Sequence, residues 1–555
     1  MHEPWSLQYL DSAVVENFAC ADECPRYVSR PRNEEEVAEA LRFASAHNLS
    51  VAIRGGGHSY SCSSTRRGAV MLDLRGFKRI SVDVERGFVD VGAGLVWREV
   101  LPHLTRRGLV AVHGQCTSVG VAGFALNGGV HFGGLSELFG LASESILALN
   151  LVIANGSFVR ITEASCFIDG SEVGRCSDLK RALKGAGGSS FGIVTEIRLK
   201  VFERPQLQTF LSIISVNIED SVTAANRVHS FMNELPPGIS VTLFGVDKYF
   251  KAITFILKFA SNPFSAAYSE LRKLRRSGKM INGPKVYFIA EFSWLASVTD
   301  AESALRSAIH RLDTEAFVSV HALVSGGGQF WSVPSYSLVW GEGHLYGGAT
   351  VTVPEHNAVT VLAASMERYR LYLAEHPCSD CVFVLHKVGD RIRATNFDEV
   401  SVNPSLSKAN LWLEIDCGHF HRSRSSWPVC HGWISDTQIA IDSKSGVDSF
   451  HYPNVPNLDT VAWEEKYYGM DNYQSLLRAK AAWDSDGVFH HRQSPTLSEK
   501  SMLSPLSASP FAQSSDCTRQ YRAKLHLMGI RNTLIVGVVT AIAYLMLKLL
   551  RFGKV

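Results

Sequence analysis

Three glycine-rich turns, each abutting a strand-like run, fall within roughly 140 residues of this chain. They are Arg54-Gly-Gly-Gly-His-Ser-Tyr60, the stretch from His113 to Gly134, and Gly185-Ala-Gly-Gly-Ser-Ser-Phe-Gly192. Glycine has no Cβ, so it reaches left-handed backbone and lets another group approach the chain closely. The first turn is not a P-loop, which needs Gly-x4-Gly-Lys-Ser/Thr. It is not a dinucleotide turn either, because that turn must open a helix, and Ser59 to Arg67 has no helical apolar spacing. What remains is a loop of bare backbone N–H groups, a nest that can hold a pyrophosphate without a helix. Taken singly, His58 reads as an exposed histidine on a tight turn and Cys116 as a buried small hydrophobe. Three such turns together point to a long, flat, phosphate-bearing cofactor lying against backbone.

The surrounding pattern is α+β. Asn33 caps a helix with Glu36 three residues on, and Val37, Ala40, Leu41 and Ala44 recur at helical spacing. Alternating runs predict strands at Val51–Ile53 and Val70–Leu74, a hairpin at 80–91, and a second hairpin at 146–161 turning on Asn155-Gly156. A long strand follows from Phe191 to Phe202, so residues 27–202 read as one unit. From 206 to 446 the texture changes. Strands are predicted at 209–218, 240–246, 252–259, 286–292 and 382–387, with helices at 220–235, 265–276, 299–312 and 357–375. That is an antiparallel sheet with helices on one face. Residues 447–497 form a closing segment with a helix at Tyr473–Trp483, followed by a Ser/Pro-rich linker at 498–530.

Net charge is +2 over 555 residues, which gives no electrostatic case for nucleic acid. The basic run Arg272–Arg276 reads as the solvated face of a helix. Eleven cysteines are scattered. None of the close pairs joins a second at zinc-ribbon spacing, so no metal is expected; a local Cys20–Cys24 disulfide is weighed but not assigned. The start, Met1-His-Glu-Pro-Trp5, lacks the basic-then-apolar pattern of a cleaved leader. Thr533 to Leu550 is almost wholly apolar, so a membrane helix is expected at 531–551, with Lys548 near the interface. The expectation is a single-pass C-terminal anchor with the catalytic part in the cytosol.

Several stretches carry a family resemblance: "RGGGHS", "VGAG", "HGQCTSVGVAGFALNGG", "DLKRALKGAGGSSFGIVT", and, in the closing segment, Tyr452-Pro-Asn-Val-Pro-Asn-Leu458, Lys466-Tyr-Tyr-Gly469 and Val488-Phe-His-His-Arg-Gln-Ser494. Over 27–202 and 447–495 the chain resembles the berberine bridge enzyme-like oxidases. These belong to the vanillyl-alcohol-oxidase group, with a two-part PCMH-type FAD-binding domain and an inserted antiparallel-sheet substrate domain. The resemblance implies that His58 bonds the 8α-methyl of the isoalloxazine and that Cys116 can bond flavin C6, although Thr117 stands where the family usually has proline. It implies that Arg54, Gly55, Gly56, Gly57, Ser59 and Tyr60 hold the pyrophosphate. Gly120, Gly123, Gly192 and Val194 match the ADP half, and Val119 lies near the point of oxygen access. Gly128 belongs to a loop, 127–136, that runs about two residues longer than the family's. Tyr452 and Asn454 match residues facing the flavin and substrate. Three residues compete as catalytic base: Tyr452, preferred here, then His386 and Glu414.

The function implied is a covalent FAD oxidase that takes hydride from an alcohol, sugar or amine-type carbon and passes electrons to O2. A flavin dehydrogenase with another acceptor, and a membrane-tethered binding protein with a structural flavin, are the alternatives. Substrate identity is not legible, because residues 206–450 shape the pocket and carry no motif.

Overall fold

The computed structural model describes residues 1–2, 6–13, 15–20, 22–132, 134–246, 285–295, 297–312, 322–325, 344–375, 381–420, 427–445 and 449–497. Strands β1 (Tyr27–Ser29), β2 (Val51–Arg54) and β3 (Val70–Asp73) make a parallel sheet in the order β1-β3-β2. The helix Glu34–Ala46 crosses from β1 to β2 and buries the predicted Val37, Ala40, Leu41 and Ala44. Asn33 caps it, its Oδ1 accepting from Glu36 N at 2.8 Å. The reciprocal half of the capping box does not form: the Glu36 carboxylate turns back to Arg32 N and the Arg32 guanidinium.

Strands β4 (Ile80–Asp83), β5 (Phe88–Gly92), β7 (Ile146–Val152), β8 (Phe158–Ile161), β9 (Cys166–Ile168), β10 (Ser171–Gly174) and β11 (Ile193–Lys200) form a seven-stranded antiparallel sheet in the order β10-β9-β8-β7-β11-β5-β4. A two-residue strand β6 (Leu109–Val110) pairs with β12 (Phe202–Glu203). Both predicted hairpins are present. The two sheets and their helices share one core, which includes Trp97, Leu104, Phe191 and Ile197.

The next strands are β13 (Leu207–Asn217), β14 (Ser240–Val246), β15 (Lys285–Leu295), β16 (Ala322–Ser325), β17 (His344–Pro354), β18 (Cys381–Lys387) and β19 (Ala409–Phe420). They build a second seven-stranded sheet, all antiparallel, in the order β16-β13-β15-β14-β18-β19-β17. Helices Ser221–Glu234, Ala301–Leu312, Glu355–Glu375 and Trp427–Ser445 bury their apolar residues in the same core as one side of this sheet. Side chains alternate across a strand. Along β19, Leu411, Leu413, Ile415 and Cys417 enter that core, while Trp412, Glu414 and Asp416 take the opposite face. Cross-strand register places Glu291, Thr242, His386 and Trp412 in one row on that opposite face. The expected strand 252–259 and helix 265–276 lie outside the described residues. Strands β17 and β19 and the helix Trp427–Ser445 went unpredicted.

The closing segment returns to the first core. Tyr467, Tyr468, Tyr473, Leu476 and Phe489 pack there, while Phe450 and Tyr452 join Trp412 and Val402 in a small cluster next to the second sheet. Lys480 is fully buried, donating to Ser190 O at 2.6 Å, to Asp484 Oδ2 at 2.7 Å and to Phe489 O. Disulfides join Cys20 to Cys62, Cys166 to Cys176 and Cys381 to Cys417. Cys20 thus crosses to the first glycine loop. Among the described residues no helix is long and apolar enough to cross a membrane. The span expected at 531–551 lies outside them.

Candidate active site

A cavity of about 270 Å³ lies where the glycine loops meet the polar face of the second sheet and the closing segment. The first loop leaves β2 and enters left-handed backbone at Gly57, φ +83°. Gly56 and Gly120 touch: a Cβ on Gly56 would lie 2.5 Å from Gly120 N. These glycines therefore let two loops pack against each other, a different reason from the expected approach of a ring. Gly123 is the converse case. A Cβ there meets nothing within 4 Å, and the residue borders the cavity. His58 Nε2 and Ser118 Oγ are 2.8 Å apart, so a hydrogen bond ties the histidine of the first loop to the turn headed by Cys116.

Burial, and after it the charge of Arg98, pushes the His58 imidazole down to about 4, so the ring is neutral at working pH. Burial, then the carboxyls of Glu414 and Asp416, pushes the Cys116 thiol up to about 12. Cys116 is a free cysteine, and both residues line the cavity.

The facing wall is the second sheet. Glu414 borders the cavity, and Asp416 lies two residues on along the same face of β19. Burial raises both carboxyls, Asp416 further because Glu414 faces it. The contact between the two favours the charged form of Glu414 over that of Asp416. The Tyr452 hydroxyl oxygen accepts from Val130 N and from Asn454 Nδ2, each at 2.9 Å. Burial still dominates and holds the phenol up at about 12, so Tyr452 is a proton donor at neutral pH.

His386 is buried and held well below its ordinary range by desolvation. Its Nδ1 lies 2.7 Å from Thr242 Oγ1, and its ring stacks on Phe132 at 3.6 Å and 8°. Phe132 borders the cavity and His386 does not. The longer loop at 127–136 thus lays an aromatic ring over the predicted base.

Of the predicted residues, Gly55, Gly56, Gly57, His58, Ser59, Tyr60, Cys116, Val119, Gly120, Gly123, Gly192, Val194, Glu414, Tyr452 and Asn454 border one cavity. Three do not. Arg54 turns its guanidinium to the carbonyls of Asp11 and Ser12 on the N-terminal helix. Gly128 sits behind the Tyr452 ring, 3.4 Å from where its Cβ would be. His386 is the third. Sequence reasoning missed Ser118, Asn127, Gln493 and the pairing of Asp416 with Glu414. Asp416 was visible as an i, i+2 acidic pair in a strand pattern, which puts both groups on one face. Gln493 borders the cavity with a buried, unpartnered Oε1.

The residues present fit a flavin dinucleotide. Glycine backbone from three separated loops lines one recess, and a neutral imidazole and a free thiol open onto it. The comparisons agree. A sequence profile described as an FAD binding domain matches residues 25–162, and one described as berberine and berberine like matches 451–495. The (R)-6-hydroxynicotine oxidase of Paenarthrobacter nicotinovorans is 33% identical over 187 residues, 33% of this chain and 37% of that protein's own length. The FAD-linked oxidoreductase penH of Penicillium thymicola is 23% identical over 498 residues, 87% of this chain and 78% of that one. Among solved structures, the BBE-like 1 protein of Physcomitrella patens superposes with a TM-score of 0.68 at 20% identity, covering 89% of this chain and 96% of that one. The xylooligosaccharide oxidase of Myceliophthora thermophila C1 gives 0.66 at 19% identity, covering 90% and 97%. The chain thus carries an FAD binding domain over residues 25–162 and a berberine and berberine like segment over 451–495, and the proteins it is similar to are FAD-linked oxidoreductases.

Proposed function

We propose that the protein is an oxidase with FAD held covalently through His58 and Cys116, acting on a small alcohol, sugar or secondary-metabolite substrate with O2 as acceptor. One observation carries this reading: His58 and Cys116, from different loops, border the same cavity as Glu414 and Tyr452 on its far wall. The names of two similar proteins, an (R)-6-hydroxynicotine oxidase and a xylooligosaccharide oxidase, support oxidase chemistry without fixing the substrate. When bound, FAD supplies the hydride acceptor, and the chain positions the substrate and handles the proton.

In this reading Glu414 takes the substrate proton. It borders the cavity, and its contact with Asp416 favours its charged form over that of Asp416. Tyr452 keeps its proton and orients substrate, its oxygen fixed by Val130 N and Asn454. The polar face of the second sheet forms the substrate wall.

Acid precipitation tests the attachment. A yellow pellet supports it, and yellow in the supernatant from the unaltered protein rejects both links. With a substrate found by flavin bleaching, air should restore the yellow colour and release hydrogen peroxide; bleaching that air does not reverse marks a dehydrogenase. The C-terminal anchor remains part of the proposal: deleting 531–551 should release the protein from membranes.

A further inference from the structure

We propose that Asn155 and Asn48 carry N-linked glycans and that the folded body of the protein matures in an oxidising compartment. Asn48-Leu-Ser50 and Asn155-Gly-Ser157 both have the Asn-x-Ser pattern of glycan acceptors. The triplet is common by chance, so the fold has to present it. Both asparagines are exposed. Asn155 forms the tip of the β7–β8 hairpin, where its Oδ1 accepts from Ser157 N at 2.9 Å. That bond commits the amide oxygen to the turn and leaves Nδ2 as the reacting atom. Asn48 follows the helix Glu34–Ala46 in left-handed backbone, φ +51°.

The two acceptors share a face. A Cβ on Gly156 would lie 3.6 Å from Ala38 Cβ and 4.0 Å from Arg42 Nη1, both on the helix that Asn48 follows. Neither asparagine borders the cavity, so sugars on this face leave substrate entry clear.

The disulfides are the second, independent observation. Cys166–Cys176 lies in the strand layer paired with β8, Cys20–Cys62 ties the N-terminal segment to the first glycine loop, and Cys381–Cys417 sits in the second sheet. Cytosolic thiols are kept reduced, whereas disulfides form where secreted chains fold. That compartment also attaches N-glycans, so the body lies on the opposite side of the membrane from the cytosolic expectation.

The donor is a lipid pyrophosphate-linked oligosaccharide. Asn155 Nδ2 loses one proton and forms a bond to the anomeric carbon as that carbon's bond to the pyrophosphate oxygen breaks. No electrons are transferred.

The test uses the full chain purified from the cells that make it. Glycosidase release in heavy-oxygen water should mark Asn155 and Asn48 isotopically, which separates release from spontaneous deamidation of Asn155-Gly156. Asn155→Gln and Ser157→Ala should each remove one glycan step in gel mobility and leave the protein yellow. A bare Asn155 peptide overturns the site, and a bare Asn48 peptide overturns the two-acceptor face. Alkylation of Cys166 and Cys176 without prior reduction overturns the compartment.

Discussion

Glu414 and Asp416 show how one residue sets another's chemistry. The sequence offered three candidates for the base, with Tyr452 preferred. Burial ranks them: Tyr452 stays protonated, His386 lies behind Phe132, and Glu414 opens on the cavity. Glu414→Gln should lower the rate of flavin reduction by about 10²–10⁴-fold, the usual share of a general base, with unchanged flavin content. Asp416→Ala removes the hydrogen bond that favours the ionised Glu414, so the acid limb of kcat/KM should move up by about one pH unit. Asp416→Asn keeps a donor and should leave that limb close to its place. Glu291 makes a second pH prediction. It is buried with an unpartnered Oε1, and desolvation pushes it up to about 8 from an ordinary 4.5. The folded state thus binds this proton more tightly than the unfolded state, so stability falls as pH rises from about 4.5 to about 8 and levels off above. Glu291→Gln should raise Tm at pH 8 more than at pH 5, which thermal melts at the two pH values check. The candidates were legible in sequence but their protonation was not, because a carboxyl in a strand pattern does not announce which of its neighbours will be dry.

At the scale of elements, the glycine turns were the most legible feature, yet their glycines serve two purposes. Gly56→Ala places a methyl 2.5 Å from Gly120 N. The loops must part, so both thermal stability and flavin content should drop. Gly123 lies within the helix Val121–Leu126 and has open space at its Cβ. Gly123→Ala should hold or raise apoprotein stability, by up to about 1 kcal/mol from helix propensity, while flavin loading falls; melts of apoprotein against absorbance of holoprotein separate the two. Strands β2 and β3 and both hairpins followed from alternation and from Asn155-Gly156. Strand β17 escaped because Gly347-Gly348 interrupts its apolar alternation, and pairing with β19 carries the strand through the break. The helix Trp427–Ser445 escaped because its apolar residues show little helical periodicity.

The whole molecule has two large cores joined by a return of the chain. The change of texture at 206 marked the second core, and the closing motifs from Tyr452 pointed back to the first. What sequence did not reveal is the buried ion pair that fixes the return. Lys480 and Asp484 are both fully buried, and Lys480 also holds Ser190 O beside the third glycine turn. Lys480→Met leaves Asp484 as an unpaired buried charge and should cost about 3–5 kcal/mol. Thermal melts should show the loss, with the flavin absorbance changing early because Tyr467, His491 and Gln493 border the same cavity. The second sheet carries one further consequence. Its two faces alternate residue by residue along β18 and β19, one packed against helices and fastened by Cys381–Cys417, the other turned to the cavity. Odd and even positions of a strand thus answer to different selective pressures. Exchanges at His386 or Trp412, whose rings pack on the cavity-lining Phe132, can reshape that wall while Leu385, Leu413 and Ile415 keep the core, so diversification in this fold need not pass through unstable intermediates.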